Sequence, residues 1–482
     1  MLPGALANPT PGTIVVHLNG RVVAEGMGTW TSADNHLVTA TAQPGIGNAT
    51  TAPAGSPGGP ALAAGAATPN ATTLGNNGIG SAKLQPQNIS SYARLYAGAD
   101  GMATNGLRYG AAIEIRENFS GQISNSGSSG ASGYSSLETT YVRRAFVYMA
   151  GDQWGIVRAG QADGLISIFD NGVTTFQFLP SGNLNGGDLQ DFPSAVSPAF
   201  VFLGQAGNEY DNNKLVYLSP QFAGFDFGLQ YAPNTSNGFG NGGNNTNGLT
   251  NSIIGAGTGT GLSCSVANSG CPSLSSGPGI QDGARMINQT AVGARYQGLL
   301  GGVGVLAYGV YEFSGHADYT GLTTPAILGV TSQPGSKFSG QYNNLSIGSG
   351  GVALSYAGVT VGGNVVGGQM NGQLGLQPKN GAPLIGYLLG AKYTAGPLVF
   401  GIVGEEYWEQ GTATLSGITQ RRARGIDAGV SYQIAPGLLT YAEYLWNDQY
   451  QGANNFITGA INSNANNNIR GQGFLIGQMV NF

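Results

Sequence analysis

Charge is what this 482-residue chain most lacks: Asp, Glu, Lys and Arg together make up 9% of it, where soluble domains average about 25%. A soluble protein so poor in charge would struggle to cover its surface. Disorder is no better an explanation, because 41% of the residues are hydrophobic and disordered chains are apolar-poor. Long hydrophobic runs are also missing. Uncharged stretches such as Phe338 to Pro378 are broken every few residues by Gly, Ser or Asn, so they are not the roughly 20 continuous apolar residues of a membrane helix. Only helices and closed barrels satisfy their backbone in hydrocarbon. A lipid-facing chain without helical spans is therefore expected to be a β-barrel.

Other scarcities narrow the function. The net charge is −5 and the densest basic group is Arg421, Arg422 and Arg424, which argues against nucleic acid as a partner. Three histidines, His17, His36 and His316, lie far apart in the chain, and no nucleophile-and-base pairing accompanies them. The reading is of a non-enzyme without a cofactor, and no metal-ligand spacing is present. Two cysteines, Cys264 and Cys271, share one loop-like stretch. They are expected to form a local disulfide, which implies an oxidising compartment. The first residues lack the basic and continuously apolar regions of a secretory signal, so the reading is of a mature chain.

What is abundant is glycine, at 84 residues, and two-residue alternation. In TIVVHLNGRVVA, Ile14, Val16, Leu18 and Val22 alternate with His17, Asn19 and Arg21, so one face is apolar and the other polar. In GLRYGAAIEIREN, Tyr109, Ala111, Ile113 and Ile115 face one way and Arg108, Glu114 and Arg116 the other. Sixteen such strand candidates run to the end of the chain. Their connections alternate long and short, as in outer-membrane barrels. The expected fold is an all-β, antiparallel up-and-down transmembrane barrel occupying 1–482 as a single domain. Its longest external loops fall near 25–89 and 233–287. Tyr92, Tyr141, Tyr217, Tyr393, Trp408 and Trp446 are candidates for aromatic girdles at the membrane surfaces.

The third long connection, about 162–208, is too apolar and too aromatic to be an ordinary loop. Connections beyond about 12–15 residues are usually functional or disordered. The expectation is a loop folded into the lumen, with Phe169, Phe176 and Phe178 anchoring it to the inner wall.

Several segments resemble the general trimeric porins of Gram-negative bacteria. SYARLYAGADG is similar to the family's second strand, YVRRAFVYMAG and GIVRAGQ to the strands before its third loop, and FLPSGNLNGGD to the inward-folded loop itself. NKLVYLSPQFAGFDFGLQYAP resembles the strand pair that follows, and the terminal Phe482, with Val480, Ile476 and Phe474 in step, resembles the assembly signal; Gln478 interrupts it. The resemblance implies a homotrimer of water-filled pores in the outer membrane, among its lipid and lipopolysaccharide, passing ions and small hydrophilic solutes by passive diffusion. It further implies a constriction lined by wall arginines Arg94, Arg143, Arg158 and Arg116, with Arg21 next, facing loop acids. Where the family carries an acid after the Leu-Pro corner, this chain has Ser181-Gly182-Asn183. The acidic role therefore passes to Asp188, Asp191 and Asp163.

Arg143 and Arg144 are adjacent, so in a regular strand they point to opposite faces; one is expected at a subunit interface or near the rim. Two alternatives remain: a substrate-specific channel, for example for sugars, and a non-channel surface or adhesive β-structure. The latter would show a fixed internal period, and none is visible.

Overall fold

The computed structural model describes residues 9–34, 86–118, 141–176, 201–202, 213–234, 286–316, 343–372, 376–377, 381–411, 420–457 and 464–482. Sixteen antiparallel strands close into one barrel. In chain order they are β1 (Thr13–Thr31), β2 (Gln87–Met102), β3 (Arg108–Asn118), β4 (Tyr141–Gly151), β5 (Gly155–Gln161), β6 (Asn213–Leu218), β7 (Phe225–Asn234) and β8 (Met286–Leu300). They continue as β9 (Val303–His316), β10 (Ser346–Tyr356), β11 (Val359–Gln369), β12 (Leu384–Ala395), β13 (Leu398–Glu409), β14 (Arg421–Ala435), β15 (Leu438–Tyr450) and β16 (Asn468–Asn481). Each strand pairs with its neighbours in sequence, and β1 pairs with β16. Gly20 and Phe482 exchange both backbone hydrogen bonds at the seam, at 2.9 and 3.0 Å. Closure leaves no unpaired edge, which in hydrocarbon would cost several kcal/mol per exposed backbone group. A solenoid or open surface sheet is thereby replaced by a ring.

Alternation sorts the side chains. On β1 the residues Ile14, Val16 and Leu18 are exposed on the outside, while Arg21, Val23, Glu25 and Met27 line the inside. Short turns join the strands at one end. Between β8 and β9 the turn is Gly301-Gly302, both at positive φ (59° and 87°), the geometry of the tight hairpin turn whose twist suits the flanking strands.

Loop boundaries differ from expectation. The first loop begins after Thr31, not at 25, and ends before Gln87. Strand β1 runs on through Glu25, Met27 and Thr29, all buried inside. The outward positions between them are Gly26 and Gly28, so no apolar residue marks the strand's outer face again until Trp30. The other two long connections, expected near 162–208 and 233–287, are bounded by β5 and β6 at 162–212 and by β7 and β8 at 235–285.

The third connection enters the barrel. A single helical turn, α1 (Leu165–Phe169), is followed by a 3-10 turn, Val173–Thr175. Leu165, Ile166, Phe169, Val173, Phe176, Val201 and Phe202 form one buried cluster with inward residues of the wall. The wall receives them at glycines: a Cβ on Gly362 would come 2.5 Å from Val173 Cγ2, and one on Gly228 would come 3.1 Å from Phe169 Cζ. Phe169 and Phe176 anchor the loop as expected; Phe178 lies outside the described residues.

Candidate functional site in the barrel lumen

The inner wall of β1–β5 carries the arginines. Arg21, Arg94 and Arg116 are cross-strand partners in one line. Like charges so placed repel, and two devices offset this. Tyr92 packs between the first two, with their guanidinium carbons 5.8 and 4.8 Å from its ring centre. Glu114 accepts a hydrogen bond from Arg116 Nε at 2.6 Å. Tyr92 therefore faces the lumen, 6% exposed, and is not part of the aromatic girdle. Tyr217, Tyr393, Trp408 and Trp446 do lie on outward faces.

Arg143 and Arg144 correct the expectation of opposite faces. The β3–β4 register shifts between Glu114 and Ile115: Glu114 pairs with Arg144, Ile115 with Val142, and Arg143 is the extra residue. Such a bulge sets two residues against one and breaks the alternation locally. Both guanidiniums thus turn inward onto Glu114, Arg143 Nη1 at 2.7 Å and Arg144 through Nε. Arg144 also donates to Asp163, while Arg143 Nη2 lies 3.9 Å from it. All four side chains are nearly enclosed, at 2–11% exposure. Arg158 stands over the Phe146 ring at 5.5 Å. Arg94, Arg116, Arg143, Arg158 and Asp163, named from the sequence, lie on or beside the inner face of β2–β5. The sequence reading did not single out Glu114, which joins Arg116, Arg143 and Arg144.

From Asp163 the loop follows the inner wall round the ring. The Leu165 N–H donates to Gln230 Oε1 on β7 at 2.7 Å, and Arg295 Nη1 on β8 donates to the Ile168 carbonyl at 3.2 Å. Arg295 also pairs with Asp226 at 2.6 Å and lies over Phe169 at 5.0 Å. Asn171 Nδ2 reaches the Gly363 carbonyl on β11 at 3.3 Å, and Lys392 on β12 stands 5.0 Å from the Phe176 ring. Phe202 reaches β12 beside Gly386. Half the ring, from β5 to β12, thus carries loop on its inside. Among the described residues, Asp163 ties the loop root to β4, and none of the contacts just given reaches β1–β3.

A second arc of buried charge lies on β13–β15, where Glu405, Asp427 and Glu443 point inward. Sequence alternation had not singled them out. Asp188 and Asp191, expected as loop acids, and the Cys264–Cys271 pair lie outside the described residues.

Asp170 follows α1 and accepts hydrogen bonds from Gly172 N–H and Thr174 Oγ1 at 3.1 and 3.2 Å. Burial outweighs these donors and pushes its carboxyl up from 3.8 to about 7. The residue as a whole is partly exposed, but its Oδ1 is fully enclosed. A carboxyl raised on docking favours the docked loop most below its ordinary pKa of 3.8, and that contribution is lost as pH rises through about 7. Open-channel noise should therefore increase from acid to alkaline pH, and Asp170→Asn should flatten the dependence. A wild-type trace equally quiet on both sides of neutrality would refute this.

A closed barrel with polar inner and apolar outer faces, and a loop folded along its inside, defines an outer-membrane channel. A family profile described as Gram-negative porin matches residues 49–452. The chain belongs to that family and is a channel for passive diffusion across the outer membrane. No curated protein matches it. Among solved structures it is similar to an anion-selective porin from Comamonas acidovorans, at 12% identity and TM-score 0.48, covering 98% of this chain and 100% of that one. It is also similar to Salmonella typhi OmpF in complex with daunomycin, at 11% identity and TM-score 0.49, with 97% of each chain covered. A loop-deletion mutant of the Vibrio cholerae outer-membrane protein OmpT aligns at 12% identity and TM-score 0.47, over 97% of this chain and 99% of that one.

Proposed function

We propose that the waist of the channel lies between the arginine wall and the in-folded loop, and that its charge selects among small hydrophilic solutes and ions. Arg94, Arg116, Arg143 and Arg158 form the basic side. Asp163 clasps the loop root to that wall, and Asp188 and Asp191 supply the acidic side. The observation that carries this reading is the course of the described loop residues along β7–β12, across the ring from the Arg21–Arg94–Arg116 line on β1–β3. Opposed charges at such a waist orient water and dipolar solutes and bias ion entry. The pores assemble as homotrimers surrounded by outer-membrane lipid and lipopolysaccharide.

The test is single-channel recording in planar bilayers, with reversal potentials in a salt gradient. Closures in threes are expected of a trimer. Arg94 is held by the Tyr92 ring, so Arg94→Gln removes charge without breaking a buried ion pair. It should shift the reversal potential towards cations, more at low salt than at high, since a solvated charge is screened within about 8–10 Å. An unchanged reversal potential would remove Arg94 from the waist. A folded barrel without conductance steps would defeat the diffusion reading itself.

A further inference from the structure

The outward face of β12–β16 departs from a plain lipid-facing surface. Cross-strand register sets Tyr387, Glu406, Arg424, Asp448 and Arg470 in one outward row. Arg422 stands next to it, one step further from the short turns, flanked by Trp408 and Tyr450. The row holds three arginines, counting Arg422, against two acids. Asp448 is spent beneath them: 5% exposed, it binds Arg424 Nε at 2.9 Å, lies 3.8 Å from Arg422 and accepts from Asn468 at 2.7 Å. The arginine side chains remain 44% and 37% exposed. In barrels of this kind the short turns are periplasmic, so the row lies at the level of the outer-leaflet headgroups.

Directly below it the surface is hollow. One depression lies under Arg424 and Glu406, lined by Leu389, Gly404, Ile426 and Trp446. A second, walled by Tyr393, Phe400, Tyr444 and Phe474, continues towards the short turns, and the two share Ala391 and Ile402. Their volumes, about 670 and 610 Å³, fall in the range of small-molecule sites. The floor at Gly404 is open: a Cβ there would meet nothing nearer than 3.5 Å. An apolar groove long enough for an acyl chain, headed by guanidiniums, matches a lipid with a phosphate in its headgroup. Arginine suits that phosphate, because its planar fork can bind two oxygens at once.

We propose that this groove is a binding site for an acyl lipid of the outer leaflet whose phosphate headgroup carries a net negative charge, with its phosphate on Arg422, Arg424 and Arg470 and a chain over Gly404. The proposal rests on the membrane-embedded reading of the barrel but not on the pore's charge.

The test uses the full chain refolded in phosphatidylcholine vesicles containing a few mole per cent of either brominated-chain phosphatidic acid or brominated-chain phosphatidylcholine. Trp446 borders the groove, so its quenching, taken as wild type minus Trp446→Phe, reports occupancy. Phosphatidic acid should quench it more at equal mole fraction, and each arginine removed by Arg424→Gln or Arg470→Gln should lower that preference by roughly fivefold. Gly404→Leu should reduce quenching by both lipids. Equal quenching by both lipids in the wild type, or an unaffected Gly404→Leu, overturns the proposal. So does displacement by inorganic phosphate, which would mark a simple anion site. So too does a change in particle mass on Gly404→Leu, which would mark the face as a contact between copies. Conductance of the arginine variants should equal wild type; its absence in the wild type would sink the channel reading while leaving the lipid site standing.

Discussion

Glu114→Gln should destabilise the barrel by about 3–5 kcal/mol, the cost of removing one partner from a buried ion cluster. The size follows from the arrangement. Glu114 holds Arg116, Arg143 and Arg144 together, and the latter two are at most 8% exposed. Asp163 alone cannot neutralise them. Arg143→Ala should cost less, because Arg116 and Arg144 still satisfy the carboxylate. Adding Arg143→Ala to Glu114→Gln should recover part of the loss, the non-additivity expected of residues in one network. Urea unfolding of the vesicle-refolded protein, followed by tryptophan fluorescence, measures all three. A loss of under about 1 kcal/mol for Glu114→Gln, as for an exposed pair, would mean that water rather than Glu114 carries the charge of the wall.

Arg295→Ala should loosen the loop without removing it. The side chain gives α1 one charged hydrogen bond and one cation–π contact, together worth about 2–4 kcal/mol. Partial exposure of the guanidinium, 22%, places the effect at the lower end. Since α1 leans on β7–β9, its release should raise the mean conductance and broaden the open-state noise. Arg295→Lys keeps the charge but cannot hold Asp226 through two nitrogens, so it should fall between. A conductance trace identical to wild type in Arg295→Ala would show that the loop is held without Arg295.

The barrel itself was legible because a two-sided environment writes alternation into every strand. Where one side of that signal fell silent, the reading failed: Gly26 and Gly28 concealed the last third of β1. The lumen loop was legible from its length and its aromatics, although neither α1 nor the glycine seats opposite it could be read. Those depend on contacts between residues far apart in the chain, such as Gly362 and Val173. Glu114 was placed on the correct face, but its role depends on strands that meet only in the fold. Arg422 and Arg424 read in sequence as a small basic cluster. Only the register shows that both face outward.

The bulge at Arg143 has a consequence for how this sequence can lengthen or shorten. In a regular strand, losing one residue turns every later side chain to the wrong face. Position 143 is exempt: without it Glu114 would still meet Arg144, and Ile115 would still meet Val142. A single codon there adds or removes one positive charge from the wall while every other residue keeps its place. The charge of this wall can therefore change by insertion and deletion, in unit steps, as well as by substitution.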